Sequence, residues 1–546
     1  MDTLPIFRAV RVPTTTQDTI ELAKKLFGID PVSLERRGRR IVLRSGQHVV
    51  EADVEGAGVW AADEARMWNP RIPPPDIPDA DTALSAAANH VEKLLPQLGA
   101  DQPFAYGAPF ATRTVIARWN AQDGRQDYPY DITVNYPITV NVKDGKDRIP
   151  FVGGGGSFNL VFGERARLIG FSGAWRRTAF VREAELVPLH EADKEFRILI
   201  RELEFSAVSV SLAYYAGPAF TDQKFIFPVY VCSATVRVDG NDFKMQEILL
   251  PATKEGRSGG HHIIDPPHDP TRFARAVGDL SSTADQQEPK PPARVRDDGI
   301  ADDKPYKCGA WWYGGKPAVT ENLKLSAEGL LHVLNSAGWH ITVANAEDKA
   351  KKSQWLEDAD KWVDAVDFAY FNGHASPKGW VMAGGNVSFD TKPHRPAWGS
   401  QDVEWIGING CGPLQDDILF RDTDIVAPCT KVSGYDALDK WKGVFDGLHM
   451  LLGFASQIMS SEFAGLRFAE YAAEGQFVLT AWLRMGREIQ ATHNDKCPPD
   501  GPIRWVGAVW PEETGANPVD DHLWGFGSVS ADPVLRNAFV AMWTSC

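Results

Sequence analysis

Apolar and polar positions follow three different rhythms along this chain, and each predicts a different architecture. In the first, residues 16–28 place Ile20, Ala23, Leu26 and Phe27 on one side of a 3.6-residue period. Polar residues stand at the start and a glycine just past the end, which predicts a helix. Residues 33–61 then run in short strands broken by turn residues, as in Arg40-Ile41-Val42-Leu43-Arg44-Ser45-Gly46. The order recurs. Residues 82–98 carry a core stripe of Ala86, Ala87, Ala88, Val91, Leu94 and Leu95, and alternating runs at 114–119, 132–135, 138–142, 158–162 and 168–171 follow as an antiparallel meander. Two α+β modules are expected, residues 1–100 and a more β-rich 101–252, the repeated order suggesting a duplication, with the run Phe227-Pro228-Val229-Tyr230-Val231-Cys232 closing this half around a buried structural thiol.

In the second rhythm, residues 253–307 have few apolar positions and many Pro, Gly, Asp, Lys and Arg. Such a stretch cannot bury enough surface to offset its ordering, so a linker or exposed loop is expected. In the third, residues 308–546, long apolar runs alternate with helical segments. Ala310-Trp311-Trp312-Tyr313 reads as a strand, Ser326 caps a helix ending before Gly338, and residues 341–344 form a second strand. The charged residues 347–360 read as a solvated helix. Residues 449–454 add a strand, and 461–473 and 478–489 are helices. Strands alternating with helices predict an α/β fold with a mostly parallel sheet flanked by helices, preceded by the α+β amino half.

Length and composition narrow the picture. At 546 residues the chain exceeds what one core serves, so several domains are expected. A net charge of -15 and pI near 5.4 argue against a nucleic-acid partner, which needs a basic stripe. The amino terminus lacks a basic segment followed by an apolar h-region, and no apolar run approaches spanning length, so a cytoplasmic protein without a membrane partner is expected. The six cysteines form no CxxC pair and no zinc spacing, which fits free thiols in a reducing compartment and calls for no metal or cofactor. His261, His262 and His268 cluster in the polar loop without a cysteine or carboxylate frame, and read as non-ligands.

Candidate chemistry concentrates in two runs, Val366-Asp367-Phe368-Ala369-Tyr370-Phe371-Asn372-Gly373-His374 and Val403-Glu404-Trp405-Ile406-Gly407-Ile408-Asn409-Gly410-Cys411-Gly412. Each is a buried-strand pattern ending on small residues and one reactive side chain, and open α/β sheets carry their chemistry at the carboxyl edge of the strands. If the strands are neighbours, His374 and Cys411 meet at one rim as a dyad: imidazole suits the activation of a thiol that titrates near pKa 8.5. The tetraglycine at 153–156 lacks the Gly-Lys-Ser/Thr ending of a phosphate loop and reads as a flexible hairpin, and Gly170-Phe171-Ser172-Gly173 misses the nucleophile-elbow spacing. His394, His449, His493 and His522 read as structural or surface groups, with His394, between the two runs, also able to replace His374 as base, and Cys429 and Cys497 as thiols without a basic partner.

The two runs resemble the caspase-like (clan CD) cysteine peptidases, including caspases, legumains, gingipains and metacaspases: an apolar strand ending in His-Gly, a spacer, then an apolar strand ending in a small residue and Cys. The chain departs in having Ala375 where the family has glycine and Gly410 where alanine is usual. More broadly it resembles a microbial family joining a β-rich amino half to such a domain, through Ala213-Tyr214-Tyr215-Ala216-Gly217-Pro218, Phe227-Pro228-Val229-Tyr230, Phe445-Asp446-Gly447-Leu448-His449-Met450-Leu451-Leu452-Gly453-Phe454 and Asp521-His522-Leu523-Trp524-Gly525-Phe526-Gly527. The resemblance implies a caspase-like catalytic domain over 308–546 and a cysteine endopeptidase acting on a peptide or protein. Its catalytic groups are His374 and Cys411, with the backbone N–H groups of Ala375 and Cys411 as oxyanion donors. Asp416, Asp417, Asp436 and Asp446 follow the nucleophile and are candidates for a pocket favouring Arg or Lys. Two alternatives stand beside it: a non-catalytic caspase-like scaffold that binds a peptide or glycan, and a thiol acyltransferase or peptide ligase using the same dyad. The oligomeric state is left open.

The segment 253–307 contains Arg257, Arg272, Arg275, Arg294 and Arg296, so a peptidase of this kind is expected to cut itself there. Intact mass after incubation checks this: wild type should shorten while Cys411→Ala does not, and identical uncut masses dispose of autoprocessing.

Overall fold

A computed structural model describes residues 3–30, 33–56, 58–71, 76–98, 104–142, 147–174, 176–258, 306–315, 317–388, 397–420, 434–491, 503–513, 517–534 and 537–546. The expected linker, with its three histidines, falls almost wholly outside them, as do His394, His493, Cys429 and Cys497.

The α/β expectation of a mostly parallel sheet flanked by helices is overturned. The protein is β-rich, 43% strand and 25% helix, and among the described residues 24 strands join one mixed network. Five strands of the carboxyl half do run parallel, in the order His340–Ala346, Lys307–Tyr313, Phe368–Gly373, Trp405–Asn409 and Met450–Phe454. The sheet continues antiparallel through Trp505–Pro511 and Ala538–Ser545, and then crosses into the amino half, where Ala538–Ser545 pairs with Phe110–Asn120. From there it runs antiparallel through Gly124–Val142, Ser157–Phe162, Leu168–Gly173, Val59–Asp63, His48–Asp53, Arg40–Ser45 and Ser33–Arg37. Apolar periodicity identifies a strand and its buried faces but carries nothing about the neighbour on its edge, so this continuation was invisible in the pattern.

Local elements follow the sequence closely in the amino half. Thr15 and Asp18 form a capping box at the start of the helix Thr16–Phe27, and Gly28 ends it in the left-handed conformation at φ 67°. The second helix is Ala80–Leu98. Both are followed by meanders, but the strands of the two expected modules share one sheet. A separate three-stranded sheet places Thr3–Val10 between Arg177–Glu185 and Phe225–Ile226.

Three local expectations are corrected. The tetraglycine is not a flexible hairpin: the strands on either side of it, Asp147–Val152 and Ser157–Phe162, both pair with Gly124–Val142 rather than with each other, and the turn between them is wedged between the halves, where a Cβ on Gly154 would lie 1.9 Å from Glu488 O and 2.8 Å from Pro218 Cα. Residues 347–360 form short 3-10 turns rather than a solvated helix, because Trp355 is drawn into the core, edge-on to Trp311 and Trp380. Ser326 lies inside the helix Pro317–Ser336, not at its start. Its Oγ accepts the Gly465 N–H at 2.9 Å, so it caps the neighbouring helix Ala464–Ala473 instead.

The halves are also locked by buried charge. Arg484, on the helix Val478–Ile489, is fully buried; it donates to both Glu51 oxygens at 2.9 and 2.8 Å and to Glu488 at 2.9 Å, and Arg40 donates to Glu51 at 2.9 Å. No helix among the described residues is long and apolar enough to cross a membrane.

His449, just ahead of the strand Met450–Phe454, is completely buried, with Nδ1 2.6 Å from Asp521 Oδ2 and Nε2 3.3 Å from Asp532 Oδ1. Burial opposes its charge, but the two carboxylates outweigh it and raise its pKa to about 9. A folded-state value above the unfolded one means stability fully present below the unfolded pKa and lost as pH rises through about 9. Thermal melts between these limits should therefore show wild type losing roughly 2–3 kcal/mol, and Asp521→Asn should flatten that slope.

Candidate active site at two parallel strand ends

The strands Phe368–Gly373 and Trp405–Asn409 are adjacent and parallel, in register from Phe368 opposite Trp405 to Asn372 opposite Asn409. Both are wholly buried, as their aromatic and β-branched residues require: Phe368 stacks on Phe468, and Gly407 admits Trp482, whose ring a Cβ would meet at 3.0 Å. The paired register ends at Asn372 and Asn409, and His374 and Cys411 each follow two positions beyond it. The chains stay close over these positions, since a Cβ on Gly410 would lie 2.6 Å from the Ala375 methyl and 3.0 Å from Gly373 O.

A ladder of amides fixes the strand ends. Leu323 O can only accept, so Asn372 Nδ2 faces it at 3.0 Å; Asn372 Oδ1 is thereby turned to accept from Asn409 Nδ2 at 3.0 Å and from Gln246 Nε2 at 3.0 Å. Gln246 Nε2 also reaches Asn409 O at 2.7 Å and Gly373 O at 3.3 Å. One side chain of the amino half thus holds the ends of both strands.

Cys411 is 2% exposed, and its Sγ accepts the Ile458 N–H at 3.4 Å. Burial pushes the thiol up to about 12; the Ile458 N–H opposes this, Glu247 reinforces it, and Lys244 and Arg504 work against it. His374 is equally buried, which pushes it down to about 4. The Gly314 backbone approaches the ring and slightly favours its charged form, but neither ring nitrogen has a hydrogen-bond partner among the described residues. Desolvation therefore keeps both groups neutral in this closed arrangement.

The other predicted site residues are distributed less simply. Ala375 is a cross-strand partner of Lys244 on one side and Trp380 on the other, so its backbone is engaged in sheet pairing. Asp416 is buried and takes Arg125 through both oxygens at 2.9 Å, as well as the N–H groups of Ile418 and Ala437. Asp436 pairs with the same arginine at 2.9 Å and caps the helix Ala437–Trp441. Asp417 is buried and accepts the Gly434 N–H at 2.7 Å; Asp446 is half-buried, with its own N–H on Trp398 O. The chain's own Arg125 thus occupies two of the four carboxylates expected to select a basic residue. Of the remaining candidates, His522 is half-buried beside Ser528 O, and Cys232 is buried with its Sγ 3.7 Å from Tyr230 O. No group of three or more His, Cys, Asp or Glu among the described residues is placed to hold a metal ion.

Lys244, Gln246, Glu247, Arg125 and Arg504 were missed from sequence. They lie far from the two runs and belong to no motif, and only the folding of the amino half against the strand ends brings them there.

Residues 313–545 match a family described as "Domain of unknown function (DUF6345)", which spans both strands and the loops after them. No curated protein matches the chain.

The Gly410–Ala375 contact gives a direct test. Gly410→Ala should cost about 1–3 kcal/mol by overpacking, and Ala375→Gly in the same chain should restore most of it. Denaturant titration of the two single variants and the double variant measures the coupling.

Proposed function

We propose that this protein is a cysteine endopeptidase with His374 and Cys411 as its catalytic pair. The observation that carries the reading is the shared register of two adjacent parallel strands, paired up to Asn372 and Asn409, each two positions before His374 and Cys411, a histidine and a cysteine in matching sequence contexts. The resemblance to caspase-like peptidases supports it, and so does the way this chain departs from their pattern. The family has glycine after the histidine and alanine before the cysteine; here these are exchanged as Ala375 and Gly410. Because the two positions touch, one methyl still fills the junction, supplied from the other strand.

In the reaction, His374 takes the Cys411 proton and the thiolate adds to a peptide carbonyl. The tetrahedral oxyanion is held by the backbone N–H groups of Cys411 and Ala375, the latter coming free when its pairing with Lys244 opens. Collapse breaks the C–N bond as His374 protonates the leaving amine. A water deprotonated by His374 then hydrolyses the acyl-enzyme and regenerates the thiol. We place the reaction in the cytoplasm, in keeping with Cys308, Cys411 and Cys546 standing outside any disulfide.

A second reading, a caspase-like scaffold without catalysis, is favoured by the near-complete burial of both groups and the absence of a partner for His374 among the described residues. Incubation of the full chain with a diverse peptide pool, read by mass spectrometry, separates the two. The peptidase reading expects cleavages that fall by about a thousandfold or more in Cys411→Ala and His374→Ala. A folded wild type that cleaves no peptide leaves the scaffold.

A further inference from the structure

Residues 244–247 of the amino half cross the rim where His374 and Cys411 end, and every one of them is held by the carboxyl half. Lys244, at the end of the strand Asn241–Lys244, pairs with Ala375, the residue after the histidine. Met245 O accepts from Gln457 Nε2 at 3.0 Å. Gln246, 1% exposed, donates to Asn409 O, Asn372 Oδ1 and Gly373 O, all within two positions of a catalytic residue. Glu247 accepts Arg504 Nη2 at 2.6 Å, donates its N–H to Ile458 O and accepts the Ser460 N–H at 2.8 Å. Ile458 is also the residue whose N–H rests on the Cys411 sulfur.

We propose that residues 244–247 are a built-in lid over the His374/Cys411 pair, latched by Gln246, so that the resting protein holds its site shut. The orientation of the latch is fixed by chemistry. All three atoms facing Gln246 Nε2 are acceptors, two hydrogens serve the three, and a flipped amide would set oxygen against oxygen. Gln246 Oε1 has no partner among the described residues, so the hydrogen bonds of this side chain run through its nitrogen. Lifting this segment uncovers the sulfur, frees the Ala375 backbone for a substrate and readmits water to both catalytic groups. The lid stands on these contacts; only its consequence for activity rests on the peptidase reading.

Site-resolved alkylation of the full chain tests it. Iodoacetamide is applied at about pH 8, and the digest reports Cys411 against Cys308 and Cys546, two fully buried thiols that monitor general loosening. In Gln246→Ala, and more mildly in Gln457→Ala, Cys411 should be alkylated about tenfold or more faster than in wild type, with the other two unchanged. The lid is overturned if Cys411 stays as slow as the core thiols in both variants, or if all three accelerate together. Adding His374→Ala to Gln246→Ala separates the two readings: an accelerated Cys411 indifferent to the histidine keeps the lid and removes the dyad.

Discussion

Everything about this site depends on the pairing of Ala538–Ser545 with Phe110–Asn120, which turns two halves of the chain into one sheet. Without it the sheet of the carboxyl half would end at Ala538–Ser545 as an open edge, and the amino half would lose its main-chain continuity with that sheet. The buried Glu51–Arg484 pair acts across the same seam. Its net stabilisation is small, because desolvating two charges offsets most of their attraction, but breaking it strands a charge in the core and is costly. Such a contact specifies one mutual arrangement of the halves more than it strengthens it.

That arrangement decides the state of the chemistry. A thiol and an imidazole follow the ends of adjacent strands, and burial drives the thiol pKa up and the imidazole pKa down, so neither carries charge. Water and a substrate dipole reverse both shifts at once. The cover over the site therefore acts on position and on ionisation through a single physical variable, access of solvent, and the charges of Lys244, Glu247 and Arg504 around the sulfur belong to that cover or to the residues clamping it.

The exchange of small residues between Ala375 and Gly410 is a packing solution of the same kind. Two backbones this close tolerate one methyl between them, and either strand can supply it. Read as a linear pattern, each position is a departure; read in contact, the pair conserves volume.

Much of the local structure was legible in the sequence. The capping box and glycine stop of Thr16–Phe27, the strand character of Phe368–Gly373 and Trp405–Asn409, and the helix Val478–Ile489 follow from periodicity and end signals, which act within a few residues. The sequence by itself also determined which histidine and cysteine share a local context. It did not carry the mixed sheet, the antiparallel junction of the halves, the capping of Ala464–Ala473 by Ser326, the claim of Arg125 on Asp416 and Asp436, or the reach of Gln246 to Asn372 and Asn409. Those are contacts between residues hundreds of positions apart, chosen by which sheet edges and buried acceptors needed partners, and only the tertiary structure decides that.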